Sequence, residues 1–106
     1  MKKYNVVVSP DFKIMWDEIL NMYLQCSPLY VRKILNEINL AFEILEKFPY
    51  LMQTFPSNNN LRRYVIHKRF SILYRIDNNE IDILYFIDNR MQNGNYLAEE
   101  IEVYQV

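Results

Sequence analysis

Apolar residues recur along the chain with two different periods, which divide the sequence into a helical half and a strand-rich half. Over Phe12–Tyr23 they return every three to four positions, which predicts a helix, and Val31–Leu45 repeats this spacing. Over Leu61–Ile87 they alternate with other residues, which predicts strands whose successive side chains point to opposite faces. The pattern therefore predicts two helices followed by a sheet.

Each predicted helix begins at a serine followed by a proline. Ser9 and Ser27 can accept hydrogen bonds from the free N–H groups of a first helical turn, and Pro10 and Pro28 suit its first position. Pro49 ends the second helix because it has no N–H and restricts the residue before it. The short link between the helices predicts an antiparallel helical hairpin.

The strands are predicted from β-branched runs and turn residues. One strand precedes the helices, and three follow them, joined by a turn at His67–Arg69 and a hairpin at Asp77–Asn79. The strand segments are Tyr4–Val8, Leu61–Ile66, Phe70–Ile76 and Ile81–Ile87, the last with Ile81, Ile83, Tyr85 and Ile87 on its core face. Leu51–Asn60 and Asp88–Asn95 are predicted loops, and Tyr96–Val106 combines helix-like and strand-like patterns.

This order predicts one α+β domain over residues 1–106. The elements run β-α-α-β-β-β, and the most economical packing places the helical hairpin on one face of an antiparallel sheet. A chain of 106 residues with 51% hydrophobic residues can fill one such core.

Composition excludes several classes of protein. The only glycine is Gly94, which argues against a glycine-rich phosphate loop, and Cys26 alone cannot form an internal disulfide. His67 is the single histidine, so we expect no metal site and no cofactor. The longest apolar run, Ile83–Ile87, is far shorter than a membrane span, and we expect a cytoplasmic protein without a membrane partner.

Positive charge is concentrated in one stretch of an otherwise acidic chain. The net charge is −1, but Leu61–Arg75 contains five Lys and Arg residues and no Asp or Glu. A local positive patch predicts a directed anionic partner. The expectation is that this stretch forms, with Arg90, one face of the sheet. The residues predicted to bind this partner are Arg62, Arg63, Lys68, Arg69, Arg75 and Asp88.

Short motifs accompany the predicted element order across roughly residues 4–96. These are Ser9-Pro10, Ser27-Pro28, Leu45–Pro49, Leu61–Tyr64, Phe70–Asp77, Ile81–Leu84 and Asp88-Asn89-Arg90. The resemblance that this order and these motifs carry is to the RelE/ParE superfamily of toxins from type II toxin–antitoxin systems, also called the plasmid stabilisation family. It implies a growth-inhibiting toxin with a cognate antitoxin as its partner.

Two activities occur in the family that the chain resembles. RelE-like members cleave mRNA on the ribosome without a metal, and ParE-like members poison DNA gyrase. Arg90 and Tyr96 match nuclease positions. If the protein is an endoribonuclease, His67 or Asp88 is the candidate base, Tyr96 the candidate acid, and Arg63, Arg69 and Arg90 the candidate stabilising cations. Ser71 stands where nucleases often have an arginine, and Asp88 and Met91 also depart from their pattern. These departures favour a ParE-like gyrase poison, with the mRNA interferase as the alternative.

Two further alternatives concern partners. Apolar residues lie off the main stripes of both helices, and this surface suits an antitoxin segment or, alternatively, a homodimer. They are Ile14, Leu20, Leu24, Leu40 and Ile44. An orphan binding module without toxicity is the third functional hypothesis.

Overall fold

A computed structural model describes residues 3–89 of the chain. Two helices and five strands make up this part. They are β1 (Asn5–Val8), α1 (Pro10–Leu24), α2 (Pro28–Lys47), β2 (Thr54–Phe55), β3 (Asn58–Ile66), β4 (Phe70–Asp77) and β5 (Glu80–Asp88). Within residues 3–89, no helix has both the length and the apolar character needed to cross a membrane.

Both predicted helix starts are confirmed in atomic detail. The Ser9 side chain accepts a hydrogen bond from the Phe12 N–H at 3.1 Å, and Ser27 accepts one from the Tyr30 N–H at 3.3 Å. The prolines that follow occupy the first turns of α1 and α2. These caps satisfy N–H groups that a helix start would otherwise leave unpaired.

The sheet is mixed, with strand order β1-β5-β4-β3-β2. The α+β fold with a helical hairpin is confirmed, and the β3–β4 and β4–β5 pairs are antiparallel as predicted. β1 differs because it joins β5 in parallel. Since the helices and three strands separate β1 from β5 in the chain, no tight hairpin forces these two strands to run in opposite directions.

The predicted loop Leu51–Asn60 contains more structure than its polar sequence indicates. Phe55 pairs with Asn58 across a tight turn, so β2 and the first residues of β3 fall inside this segment. Asp88, placed in a loop by the sequence, is instead the last residue of β5.

A bulge at Leu84 reverses the two faces of β5. Leu73 lies opposite Tyr85 and Tyr74 lies opposite Ile83, so Leu84 has no opposite residue on β4. The Ser9 hydroxyl donates to the Leu84 carbonyl at 2.7 Å, which ties this bulge to the start of α1. One extra residue shifts every later side chain to the other face.

The prediction of which β5 residues face the core is therefore correct up to Ile83 and wrong after it. Phe86, and not Tyr85 or Ile87, continues the core formed with the helices. We call this side of the sheet the helix face; its buried strand residues are Ile66, Phe70, Ile72, Tyr74, Ile81, Ile83 and Phe86. The opposite side is the second face, defined by Leu61, Arg63, Ser71, Leu73, Arg75, Tyr85 and Ile87.

Both predicted turns are confirmed, and both use the left-handed backbone region without glycine. His67 and Lys68 have φ values of 53° and 59°, and Asn78 has a φ of 55°. The Arg69 N–H closes the first turn on the Ile66 carbonyl at 3.0 Å. The first turn, with positive φ at both His67 and Lys68, therefore has the backbone conformation that a type I′ turn requires.

Replacing Lys68 by glycine is expected to raise the free energy of unfolding by about 1 kcal/mol, because the lysine Cβ is strained at positive φ. Urea denaturation measures the change. The control is Lys33→Gly in α2, where glycine should instead destabilise by about 1 kcal/mol. The same sign for both variants would contradict the strain argument.

Candidate functional site

The cations of the Leu61–Arg75 stretch lie on both sides of the sheet. Arg62 is paired with Tyr74 and lies on the helix face, whereas Arg63, paired with Leu73, lies on the second face. The expectation of one cationic face is therefore wrong, because neighbouring residues of a strand alternate between faces. The remaining cations of the stretch are Lys68, exposed in the turn, Arg69, turned towards the helices, and Arg75, on the second face.

Arg62 is engaged in holding the segment that follows α2. One of its guanidinium nitrogens, Nη1, donates to the carbonyl oxygens of Met52 and Tyr50, the latter at 3.3 Å. Its Cζ also lies 5.1 Å from the centre of the Tyr50 ring. These contacts hold the segment between α2 and β2 in place.

Arg69 and Asp88 meet at Tyr23, at the corner between the helices and the sheet. The Tyr23 hydroxyl donates to Asp88 Oδ2 at 2.9 Å and accepts a hydrogen bond from Arg69 Nη2. The Arg69 Cζ lies 4.6 Å from the Tyr23 ring centre and 5.3 Å from that of Tyr30. Asp88 is only 1% exposed, so this predicted binding residue lies buried behind a tyrosine.

The same corner raises the pKa of Tyr23 to about 12. Burial is the largest cause, followed by the hydrogen bond to Asp88 and the negative charge of that carboxylate, while Arg69 opposes the shift. Burial also raises the pKa of Tyr74, whose hydroxyl donates to the Pro49 carbonyl at 2.6 Å. Both phenols are therefore favoured in their neutral form in the folded protein.

The raised pKa of Tyr23 predicts a loss of stability at alkaline pH. The folded protein holds the phenol proton more tightly than the unfolded chain, so this contribution is complete below pH 10 and falls as the pH rises towards 12. Denaturant titrations at several pH values should show a smaller decline for Tyr23→Phe than for the unmodified protein. The exposed Tyr50→Phe serves as the control, and an unchanged decline in Tyr23→Phe would contradict the assignment.

His67 is directed towards α2. Its Nε2 lies 3.7 Å from Glu37 Oε1, and both side chains are partly exposed. The candidate base of a nuclease site thus contacts a helix carboxylate. Arg90 and Tyr96, the other two predicted catalytic residues, lie outside the described residues.

The second face contains a hydrogen-bonded triad of Arg63, Ser71 and Asn89. Arg63 Nε donates to Ser71 Oγ at 2.8 Å, and its Nη2 donates to Asn89 Oδ1 at 3.0 Å. Ser71 in turn donates to Asn89 Oδ1 at 2.8 Å. The guanidinium of Arg63 therefore lies beside the serine that departs from the nuclease pattern.

Arg75, on the same face, is paired with a carboxylate. Its Nη2 lies 2.8 Å from Asp82 Oδ2. Glu80 lies near this pair, and its pKa is raised by a hydrogen bond with the Asp82 side chain and by the charge of that side chain. The positive charge of Arg75 is thus compensated within the protein.

The sequence did not reveal Tyr23, Tyr30 or Asn89 as parts of these clusters. Tyr23 lies on the apolar stripe of α1, and this pattern predicts only a core residue. Asn89 stands between two candidate site residues, Asp88 and Arg90, and this position in the sequence could have identified it as a site residue.

The overall fold matches that of a solved chain in the structure titled "Chromosomal ParDE TA system from P. aeruginosa". The TM-score is 0.68 at 18% sequence identity, and the match covers 81% of this chain and 96% of that chain. No protein-family model and no curated protein matches the sequence. The RelE/ParE-like α+β fold predicted from the sequence is therefore confirmed.

Proposed function

We propose that the protein is the toxin of a type II toxin–antitoxin system and acts in the cytoplasm, where a cognate antitoxin protein neutralises it. The likeness to a chain of a solved ParDE toxin–antitoxin system supports this proposal. The surface of the helices supports it too, because Ile14, Leu24 and Leu40 are 57%, 50% and 47% exposed. Exposed apolar residues on neighbouring helices suit an amphipathic partner segment.

The favoured activity is ParE-like inhibition of DNA gyrase through binding. Metal-independent RNA cleavage needs a base, an acid and cations at one phosphate. The observation that carries the proposal is the separation of these groups within residues 3–89. His67 contacts Glu37 of α2, Asp88 is buried behind Tyr23, and Arg63 lies on the second face.

The RelE-like mRNA interferase is the second candidate, and one observation favours it. The guanidinium of Arg63, a residue of β3, lies beside Ser71 of β4, so a neighbouring strand brings a cation to the position where β4 itself has none. In this alternative, Arg90 and Tyr96 complete the site, and removal of Arg90 lowers the cleavage rate about 10²–10³-fold, as for other preorganised charge stabilisers.

Induced expression of the protein in a bacterial host distinguishes the two activities. A gyrase poison should produce filamentous cells with a DNA-damage response and should inhibit supercoiling by purified gyrase. An mRNA interferase should stop translation at once and produce codon-phased mRNA 5′ ends. Arg90→Ala is the test variant, and Arg32→Ala, on the exposed side of α2, is the matched control.

The outcomes distinguish all three hypotheses. Codon-phased cuts that disappear in Arg90→Ala would overturn the gyrase assignment. Absence of any growth defect would leave the non-toxic binding module as the correct description. Rescue of growth by the product of an adjacent reading frame would identify the antitoxin.

A further inference from the structure

Among residues 3–89, the hydrogen-bond partners of Arg63 are neutral and leave some of its N–H donors unused. A guanidinium has five N–H groups, and the triad uses one on Nε and one on Nη2. Within residues 3–89, no protein group accepts from its Nη1. The two acceptors in the triad, Ser71 and Asn89, are neutral, so they orient the cation without cancelling its charge.

Arg75 provides the contrast on the same face of the sheet. Its guanidinium is paired with the Asp82 carboxylate at 2.8 Å, which neutralises its charge locally. Arg63 is also an arginine on this face, but its hydrogen-bond partners, Ser71 and Asn89, are neutral. An arginine held by neutral acceptors remains available for an external anion.

The triad is itself anchored to the β3–β4 turn. The Asn89 side-chain amide donates to the Lys68 carbonyl at 3.4 Å, and its main-chain N–H donates to the Arg69 carbonyl at 2.6 Å. Ser71 is 1% exposed and cannot move freely. The Arg63 guanidinium is therefore preorganised, which reduces the entropy lost when it binds a ligand.

Arg63 also borders a cavity of about 430 Å³ at the edge of the sheet. Gln53 and Thr54 contribute polar groups to its lining, and Met52, Pro56 and Val65 contribute apolar ones. A ligand that fits this lining has an anionic end for the arginine and an apolar portion for the walls. An acidic amino-acid side chain has this chemistry.

We infer that Arg63 and this cavity bind a carboxylate side chain of a partner protein, and that Ser71 and Asn89 are the residues that position the guanidinium. The planar guanidinium fork matches a carboxylate with two parallel hydrogen bonds. A protein carboxylate is favoured over a nucleic-acid phosphate because the chain has a net charge of −1, and binding to a polyanion needs several cations together. The inference rests on the proposed function only in taking the partner to be an antitoxin or a target protein.

Nuclear magnetic resonance of the arginine Nε–Hε groups tests the inference on the full chain. The probes are acetate and dimethyl phosphate, which carry the same single charge and represent a carboxylate and a phosphodiester. Each is titrated at constant ionic strength. We expect acetate to shift the Arg63 signal in a saturable way and to bind more tightly than dimethyl phosphate, while the exposed Arg32 shows only a weak linear response.

Two variants test the positioning role. Ser71→Ala removes one neutral acceptor and should weaken acetate binding about fivefold, the factor for one hydrogen bond. Asn89→Asp preserves the acceptor but places a negative charge against Arg63, so it should abolish acetate binding without lowering the unfolding midpoint. If the triad served only to hold the strands together, Asn89→Asp would leave acetate binding intact.

Tighter binding of dimethyl phosphate would overturn the inference in favour of a nucleic-acid ligand. Equal responses at Arg63 and Arg32 would also overturn it. Because these measurements use the isolated protein, they are independent of toxicity. A chain that binds acetate at Arg63 but does not inhibit growth would contradict the proposed function and leave this site standing.

Discussion

Replacing Phe70 by alanine is expected to lower the free energy of unfolding by about 3–5 kcal/mol, the range for a large aromatic side chain removed from a core. Phe70 is fully buried at the start of β4. Its ring stacks on Phe86 with centres 5.3 Å apart and meets the edge of Tyr23 at 5.8 Å. The loss is a large fraction of the roughly 5–15 kcal/mol that stabilises a typical small domain.

Urea denaturation followed by circular dichroism measures this effect. The control is Phe48→Ala, which removes the same side chain from a position that is 47% exposed. We expect the control to cost less than about 1 kcal/mol, as is usual for surface substitutions. Equal losses for the two variants would show that the core is not centred on Phe70.

Replacing Trp16 by alanine is expected to cost about 3 kcal/mol, at the lower end of the range for large aromatic residues because the side chain is only partly buried. The Trp16 ring stacks beside Phe12 with centres 6.3 Å apart and meets Phe86 edge-on at 5.0 Å. Trp16 thus joins α1 to β5, the pair of elements on which the bulge at Leu84 also depends.

Fluorescence provides a direct check, because Trp16 is the only tryptophan. The emission maximum of the folded protein should lie at a shorter wavelength than that of the unfolded chain. On denaturation it should shift to the longer wavelength of an exposed tryptophan. Trp16→Phe retains an aromatic ring and should cost less than Trp16→Ala. A native emission maximum equal to that of free indole would refute the packing of this residue.

Much of the secondary structure follows from short-range rules. Ser9-Pro10 and Ser27-Pro28 predict the helix starts because a serine cap and a proline act within one turn. The turn at His67–Arg69 is predicted by its position between two alternating runs. The helical hairpin and the antiparallel pairing of β3, β4 and β5 follow from these elements.

The candidate site was less predictable, since its members meet across long separations in the chain. The sequence identified Arg63 and Asp88 as binding residues and predicted that the cations of Leu61–Arg75 lie, with Arg90, on one face of the sheet. In the structure Asp88 is buried at Tyr23, and Arg63 bonds to Ser71 and Asn89. The partner of each charged side chain depends on the strand register, and the pattern of residues along the sequence does not determine that register.

The sequence by itself determined the order of helices and strands, their caps and their turns, because each depends on residues within a few positions of one another. Only the tertiary structure decided the parallel pairing of β1, the face occupied by each residue of β5 after Leu84, and the partner of each cation. The contacts responsible join distant residues: Ser9 and Leu84 are 75 positions apart, and Tyr23 and Asp88 are 65 apart. One bulge reverses the faces of a strand, so these outcomes follow from packing between elements and not from local preference.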